Sequence, residues 1–296
     1  MKNTARIRRR LRLAGIGCGV AAAVCYGTNP FGALNLYRLG MNTGSVLFYR
    51  FALAWVTIAI VMLFRNESAR VSARQFGTLS ALGILFVVSS VSLYASFRVM
   101  AAGIASTLLF VYPVMTTAIM ALLFHEPLRK TTVAAIGFSL AGVALLYKTD
   151  EGGTLPAAGV ALVLLSALSY AVYIVIMGRA KLRMSSFKIN FYVLAYCALG
   201  ALAYAFCNGQ PLQLPPSAEA WLYVGWLAVV PAIMALVLMV YAAKLAGSTA
   251  TAITGALEPL TAVIIGVTLF GEPFGTHTAI GIVLILSAVI LISVKK

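Results

Sequence analysis

Two charged residues stand inside apolar runs of this sequence, where a charge needs a physical reason. Glu258 lies between "TGAL" and Pro259 in a run that ends at "VTLF", and Arg50 lies in the run 44–64. An ionised group at the centre of a bilayer costs at least ~2.5–3.5 kcal/mol, so such groups face a polar interior or bind something there. Glu258 suits a substrate ammonium group, a proton or a structural hydrogen bond. Arg50 suits a carboxylate or Glu258 itself, unless its side chain snorkels outward.

Tyrosine and tryptophan side chains recur in the same runs and are candidates for the wall of a binding cavity. The aromatic residues within the predicted helices are Tyr26, Tyr94, Tyr112, Tyr170, Tyr173, Trp226 and Tyr241, of which Tyr26, Tyr94, Tyr112, Tyr170 and Trp226 are the candidate binding residues. Aromatic rings with a few hydroxyl groups suit flat or apolar solutes. Each tyrosine taken alone is also compatible with simple packing.

Three smaller polar residues, Asn29, Ser89 and Thr254, complete the candidate binding residues. Hydroxyl and amide groups can line a polar path through a membrane. Ser89 and Thr254, however, lie in stretches rich in small residues, for which close helix packing is the favoured interpretation.

Prolines inside the apolar runs predict interrupted helices. Pro30, Pro113 and Pro259 each remove a backbone hydrogen bond near the middle of a run and bend or hinge the helix there. A static bend and a moving gate are both compatible with this pattern. "GTNP" at 27–30 predicts a break in the first helix.

The composition indicates that all these residues lie in a membrane. Of 296 residues, 62% are hydrophobic and 10% are charged, whereas a soluble domain has about 25% charged residues. The apolar runs do not alternate as barrel strands do, so the sequence predicts an all-α polytopic membrane protein. The ten predicted transmembrane helices span residues 13–36, 44–64, 75–97, 102–124, 130–147, 156–178, 187–207, 219–243, 248–270 and 276–294.

Positive charge is distributed unevenly among the predicted loops. Of the 22 Lys and Arg residues, eighteen fall in the two tails and in the second, fourth, sixth and eighth loops, and three fall on the opposite side. Because cytoplasmic loops are enriched in Lys and Arg, both termini are predicted to be cytoplasmic. The net charge of +15 therefore indicates membrane lipid, not nucleic acid, as the partner of these side chains.

The chain contains an internal repeat. "YPVMTTAIMALLFHEP" (112–127) aligns without a gap on "EPLTAVIIGVTLFGEP" (258–273), and earlier segments align at offsets between 142 and 147 residues. Residues 1–150 and 151–296 are therefore predicted to be two five-helix repeats. The repeated Glu-Pro pairs, at 126–127 and 272–273, are interpreted as structural turns whose carboxylate meets the positive end of the next helix.

An odd number of helices in each repeat makes the two copies inverted in the membrane. Inverted repeats with interrupted helices near the midplane are typical of secondary transporters. The arrangement predicts that one half rocks against the other around a central cavity. Glu258 and Arg50 lack charged counterparts, since Tyr112 and Val193 occupy the equivalent positions, and unpaired residues of this kind are expected to concern an asymmetric substrate.

Ten helices, two inverted halves and a Glu-Pro pair after helices 4 and 9 resemble the drug/metabolite transporter superfamily. Within it, the chain is similar to the EamA-type bacterial exporters, particularly exporters of aromatic and other amino acids. The resemblance implies a basket of helices around a cavity, alternating access, and export of small solutes across the inner (plasma) membrane. His125 departs from the repeat, because the second copy has Gly271 there.

The function expected is a secondary transporter that exports amino acids, including aromatic and hydrophobic ones, or related small metabolites. A multidrug or other metabolite exporter of the same superfamily is the alternative. An ion channel is less favoured because the chain encloses its own path, and an intramembrane enzyme because Asp150 is the only aspartate. No catalytic residue, cofactor, metal site or nucleic-acid partner is expected, and the chain is expected to act as a monomer.

Overall fold

The computed structural model describes residues 2–125, 130–147, 154–180, 182 and 184–294. Within these ranges, eight helices are long and apolar enough to cross a membrane, judged by length and composition. Two shorter apolar helices, Val133–Tyr147 and Thr276–Leu291, lie where the fifth and tenth spans are predicted. The all-α polytopic membrane fold with ten helices is confirmed.

Six of the ten helices are continuous within the described ranges, and four are interrupted. The continuous ones are helix 2 (Thr43–Phe64), helix 3 (Ala73–Ser96), helix 5 (Lys130–Tyr147), helix 6 (Ala157–Arg179), helix 7 (Ser186–Cys207) and helix 10 (Thr276–Val294). The interrupted ones are helix 1 (Lys2–Gly27, Asn29–Arg38), helix 4 (Ala102–Leu109, Tyr112–Phe124), helix 8 (Ala218–Val229, a π-helical turn Val230–Met234, Ala235–Ala246) and helix 9 (Ser248–Gly255, Leu257–Phe270).

The extensive helix contacts run between the two predicted halves. Helix 1 packs on helices 8 and 9, helix 2 on helix 7, helix 3 on helices 6 and 7, helix 4 on helices 6 and 9, and helix 5 on helix 10. Contacts between sequence neighbours within the first half are sparser. The five-helix units are therefore interleaved.

This packing has the symmetry that the predicted repeat requires. In the predicted repeat, helices 1 to 5 correspond to helices 6 to 10. The contact of helix 1 with helix 8 then corresponds to that of helix 6 with helix 3, and the contact of helix 1 with helix 9 to that of helix 6 with helix 4. The contacts between helices 2 and 7, 4 and 9, and 5 and 10 each correspond to themselves. The predicted boundary between residues 150 and 151 and the first Glu-Pro pair, 126–127, lie outside the described residues. The division into 1–150 and 151–296 stays a prediction.

The residues that end helices 4 and 9, His125 and Gly271, differ in type but have the same backbone conformation. His125 has φ 54° and Gly271 has φ 68°, and each is the left-handed residue that ends its helix. Glycine adopts this conformation without steric conflict, whereas histidine does so at some cost. The backbone of this turn is thus common to both copies although the side chains differ.

Glu272 caps a helix in the other half of the molecule. Its Oε1 accepts a hydrogen bond from the Ala102 N–H at 2.5 Å and its Oε2 accepts one from the Gly103 N–H at 2.9 Å, at the start of helix 4. The first N–H groups of a helix have no intrahelical acceptor. The expectation that this carboxylate meets the next helix is wrong, because helices 4 and 9 pack closely at this end: a Cβ on Gly103 would lie 3.0 Å from Glu272 Oε2.

Burial raises the pKa of the Glu272 carboxyl group, and the hydrogen bonds from Gly103 and Ala102 lower it in part. The cap is thus a buried contact between the halves, on the side where the charge distribution predicts the cell exterior.

Helices 2 and 7 are tied together at both ends. At the external end, the Asn42 N–H donates to Gln213 Oε1 at 2.7 Å and the Gln213 N–H donates to Ser45 Oγ at 2.9 Å. At the cytoplasmic end, Tyr192 donates from its hydroxyl to the Ala69 carbonyl at 2.6 Å. The pair is therefore held as one unit across the predicted membrane.

We predict that Glu272→Ala destabilises the protein. The substitution leaves two buried N–H groups without acceptors, each worth roughly 1–3 kcal/mol, whereas Glu272→Gln keeps one acceptor oxygen and loses less. The measurement is thermal unfolding of the purified chain in detergent. The matched control is Glu219→Ala, which removes an exposed carboxylate that accepts only from the Tyr223 hydroxyl at 3.1 Å. A wild-type unfolding midpoint for Glu272→Ala would contradict a structural role for the cap.

Candidate functional site

Helix 1 is interrupted at Thr28, and side chains replace the hydrogen bonds that the interruption removes. Pro30 has no N–H to offer the Tyr26 carbonyl, and Asn29 Nδ2 donates to that oxygen at 2.8 Å instead. Thr28 Oγ1 donates to the Cys25 carbonyl at 2.7 Å. Because lipid supplies no hydrogen-bond partners, these two side chains make the break tolerable inside a membrane.

Helices 4 and 9 are interrupted just before the prolines of the repeat. Pro113 and Pro259 lie in the first turns of the segments Tyr112–Phe124 and Leu257–Phe270. Proline is well tolerated there because the first N–H groups of a helix lack partners in any case. The predicted hinge positions are thus the starts of two half-helices.

These interruptions converge around Glu258. Gly27 approaches helix 9 so closely that a Cβ on it would lie 2.6 Å from the Glu258 carbonyl oxygen. Glu258 also occupies the first turn of its half-helix, where the helix dipole favours a negative charge. The carboxylate therefore has a structural reason for its position, at the junction of helices 1 and 9.

The tyrosine rings form a connected aromatic wall. Tyr112 meets Tyr170 edge-on with 4.7 Å between ring centroids, and Tyr170 stacks on Tyr173 at 5.7 Å. Phe86 contacts Tyr170 at 6.0 Å and Tyr173 at 5.4 Å. Four rings from helices 3, 4 and 6 thus make one surface.

This wall borders a cavity of about 170 Å³ between helices 1, 2, 3, 6, 7 and 8. The lining includes two pairs of repeat-equivalent residues, Tyr26 with Tyr170 and Arg50 with Val193. The cavity therefore lies where the two halves meet, which is the central position that the repeat predicts.

Arg50 brings a positive charge to this cavity. The Arg50 side chain is 8% exposed, and its Nη1 donates a hydrogen bond to the Tyr94 hydroxyl. That hydroxyl donates in turn to Asn29 Oδ1 at 3.1 Å. Arg50 Nε is buried and has no hydrogen-bond partner in the part of the chain that the structure describes. The guanidinium group therefore turns inward instead of snorkelling, and its hydrogen bond goes to Tyr94, not to Glu258.

Ser89 and Thr254 do not line the cavity. Ser89 Oγ lies 3.0 Å from Ser166 Oγ in the contact between helices 3 and 6, and Thr254 packs against Gly19 of helix 1. Both positions agree with the close-packing interpretation of the small-residue stretches.

Trp226 lies beside the helix 1 break instead of in the cavity wall. Its Nε1 donates to Thr28 Oγ1 at 3.2 Å, and its ring meets Phe31 at 5.4 Å. The side chain is 39% exposed. Trp226 thus connects helix 8 to the interrupted segment of helix 1.

Some residues that line the cavity are missing from the sequence-based candidates, among them Phe86, Asn190 and Pro231. Tyr173 is among the aromatic residues recognised in the sequence but not among the candidate binding residues, although it follows Tyr170 by three residues and so shares its helix face. Pro231 lies in the π-helical turn of helix 8, and the proline signal used for helices 1, 4 and 9 applies to it too. Nothing in their surroundings in the sequence distinguishes Phe86 or Asn190.

A metal site has no support in the described part of the chain, where no group of three His, Cys, Asp or Glu side chains comes together. The site offers hydroxyl groups, aromatic rings, one guanidinium and one carboxylate. These groups can bind a small organic solute or exchange a proton.

Comparison with known proteins identifies relatives over the whole length of the chain. A model of the EamA-like transporter family matches residues 13–148 and, a second time, residues 157–294. An uncharacterized transporter of Archaeoglobus fulgidus is 27% identical over 272 residues, which cover 92% of this chain and 93% of that protein. A solved structure, known only as the crystal structure of a protein, matches with a TM-score of 0.66 over 95% of this chain and 96% of the other, at 20% identity. This last likeness shows the fold.

We predict that Asn29→Ala destabilises the folded protein by roughly 1–3 kcal/mol, because the Tyr26 carbonyl loses its donor and the Tyr94 hydroxyl loses its acceptor. Thermal unfolding in detergent measures the effect. Asn35→Ala is the matched control, since Asn35 Nδ2 donates to the Phe31 carbonyl at 2.9 Å within an uninterrupted turn of the same helix. Equal effects of the two substitutions would mean that the break does not depend on Asn29.

Proposed function

The chain belongs to the EamA-like transporter family of the drug/metabolite transporter superfamily, and on this premise we propose that it exports amino acids, including aromatic and hydrophobic ones, or closely related small metabolites. It is a multi-pass membrane transporter, and the proposed mechanism is alternating access. We place it as a monomer in a bacterial inner membrane, with both termini in the cytoplasm.

The aromatic cavity between the two halves carries this proposal. Its volume of about 170 Å³ lies below the roughly 300–1,000 Å³ that is typical of small-molecule sites, so the chemistry of the lining, and not the volume, supports the proposal. Tyrosine rings supply apolar contact area together with hydroxyl groups that fix orientation. An aromatic amino acid suits a lining of this chemistry.

The position of the cavity supports loading from the cytoplasm. Its lining runs along helix 2 from Arg50, about 10 Å from the external end, to Ile58, about 9 Å from the cytoplasmic end. It includes Asn190, about one turn from the cytoplasmic start of helix 7. At the external end, the hydrogen bond between Asn42 and Gln213 joins the start of helix 2 to the segment that follows helix 7. An exporter needs a cavity that extends toward the cytoplasm and is closed at the external end when the solute enters.

Glu258 is proposed to couple transport to a proton or to contact a substrate ammonium group. An ionisable carboxylate within a membrane span, at the junction of half-helices, suits either role. Both roles require that the group can ionise.

We predict that Glu258→Gln lowers export at least roughly 10-fold or removes its dependence on pH, while the protein stays folded. The amide keeps the size and most hydrogen-bonding capacity of the carboxylate but cannot ionise. The measurement is counterflow of radiolabelled phenylalanine in proteoliposomes at several external pH values, with the exposed Glu219→Gln as control. Wild-type flux with unchanged pH dependence would remove Glu258 from the mechanism. Flux that neither saturates nor shows counterflow would favour a channel over a carrier.

We predict that Tyr170→Leu weakens the inhibition of radiolabelled phenylalanine counterflow by unlabelled phenylalanine roughly 2- to 10-fold, the size of an aromatic pair contact. Inhibition by unlabelled leucine is expected to weaken less. Tyr170 lines the cavity, and Tyr112 only packs against it edge-on, so Tyr112→Leu is expected to have the smaller effect. The half-exposed Tyr241 is the control position. Equal losses for both solutes would mean that the ring only packs, and competition by apolar drugs but by no amino acid would favour the multidrug alternative.

A further inference from the structure

Among the described residues that line the cavity, Arg50 is the one with a charged side chain. Arg50 lines the cavity and its repeat counterpart Val193 lines it too, so the symmetry of the wall is broken by a single cation. Glu258 is not among the lining residues, although Tyr26 and Tyr170 bring the wall close to it. A solute in the cavity therefore meets a guanidinium group but no carboxylate.

Arg50 is prepared to receive an anion. It is more than nine-tenths buried, its Nε has no hydrogen-bond partner among the described residues, and the partner of its Nη1 is a neutral hydroxyl. A guanidinium group presents its donors as a planar fork that matches a carboxylate. A carboxylate bound at the part of Arg50 that lines the cavity would supply the negative charge that this buried cation lacks.

The hydrogen-bonded chain behind Arg50 holds it in place. The Tyr94 hydroxyl accepts from Arg50 and donates to Asn29 Oδ1 at 3.1 Å, and Asn29 belongs to the repaired break of helix 1. Tyr94 is 1% exposed. The guanidinium group is thus positioned by residues that do not themselves line the cavity.

We propose that the cavity selects organic carboxylates with a flat or apolar body: the carboxylate binds Arg50, the body lies against Tyr26, Tyr170 and Tyr173, and no ammonium group is needed. This inference rests on the proposed export function and narrows its substrate class. Amino acids then bind through their carboxylate, and the corresponding acids without an amino group bind as well.

Direct binding to the purified full-length chain tests the proposal with four probes of nearly equal size. They are L-phenylalanine, 3-phenylpropionate, methyl 3-phenylpropionate and phenethylamine, and titration calorimetry in detergent measures each of them. We expect the two carboxylates to bind with similar affinity, and the ester and the amine to bind roughly 10- to 100-fold more weakly, as the loss of a charge-assisted hydrogen bond implies. Phenethylamine binding as tightly as 3-phenylpropionate, or none of the probes binding, would overturn the proposal.

Variants at Arg50 distinguish an effect of its positive charge on binding from an effect on folding. Arg50→Met is expected to remove the preference for 3-phenylpropionate over its methyl ester, and Arg50→Lys to retain part of it, because lysine keeps the charge but not the fork. Arg98→Met is the control, since Arg98 is exposed and donates to the Met41 carbonyl at 3.5 Å. A full acid preference in Arg50→Met with an unchanged unfolding midpoint would overturn the proposal. If Arg50→Met does not fold, the acid preference of Arg50→Lys decides: an undiminished preference in that variant would overturn it as well.

Binding and transport distinguish this inference from the function on which it rests. Acid-selective binding without any flux of phenylalanine in proteoliposomes would reject export and leave the carboxylate site standing. Saturable flux of phenylalanine without an acid preference in binding would reject the carboxylate site and leave export standing.

Discussion

A backbone carbonyl inside lipid has to find its hydrogen-bond donor within the protein, and the centre of this molecule is organised around that constraint. Pro30 deprives the Tyr26 carbonyl of a donor, and the Asn29 amide replaces it. The other end of the same amide accepts from Tyr94, which holds Arg50. The repair of a broken helix and the placement of the charge in the cavity are therefore parts of one hydrogen-bonded chain.

Features shared by the two predicted repeats supply the framework, and the differences between them supply the chemistry. The half-helices that begin near Pro113 and Pro259, and the left-handed residues that end them, recur in both copies. The charged groups do not recur, since Val193 is the counterpart of Arg50 and Tyr112 is the counterpart of Glu258. A cavity built only from shared residues would treat both ends of a solute alike, whereas a cation on one wall gives a polar solute a preferred orientation.

Element length and local breaks could be predicted from the sequence, because apolar run length, loop charge and proline each act within a few residues. The ten helices and the interruptions in helices 1, 4 and 9 follow from such local rules. Contacts between distant segments could not be predicted. Arg50, Tyr94 and Asn29 are recognisable singly, but no spacing reveals that they form a chain. A buried serine suits a cavity or a helix interface equally well, so Ser89 could not be placed, and Glu272 caps helix 4 only because Gly103 leaves room for it.

The interleaved packing has a consequence for how such a molecule can move. If residues 1–150 swung as one body against residues 151–296, the contacts 1–8, 2–7, 3–6, 4–9 and 5–10 would all have to open at once. Helices 2 and 7, fastened at both ends, would resist this most. If transport proceeds by the proposed alternating access, each moving body contains helices from both predicted repeats, and the boundary between the moving bodies follows the cavity and not the predicted repeat boundary.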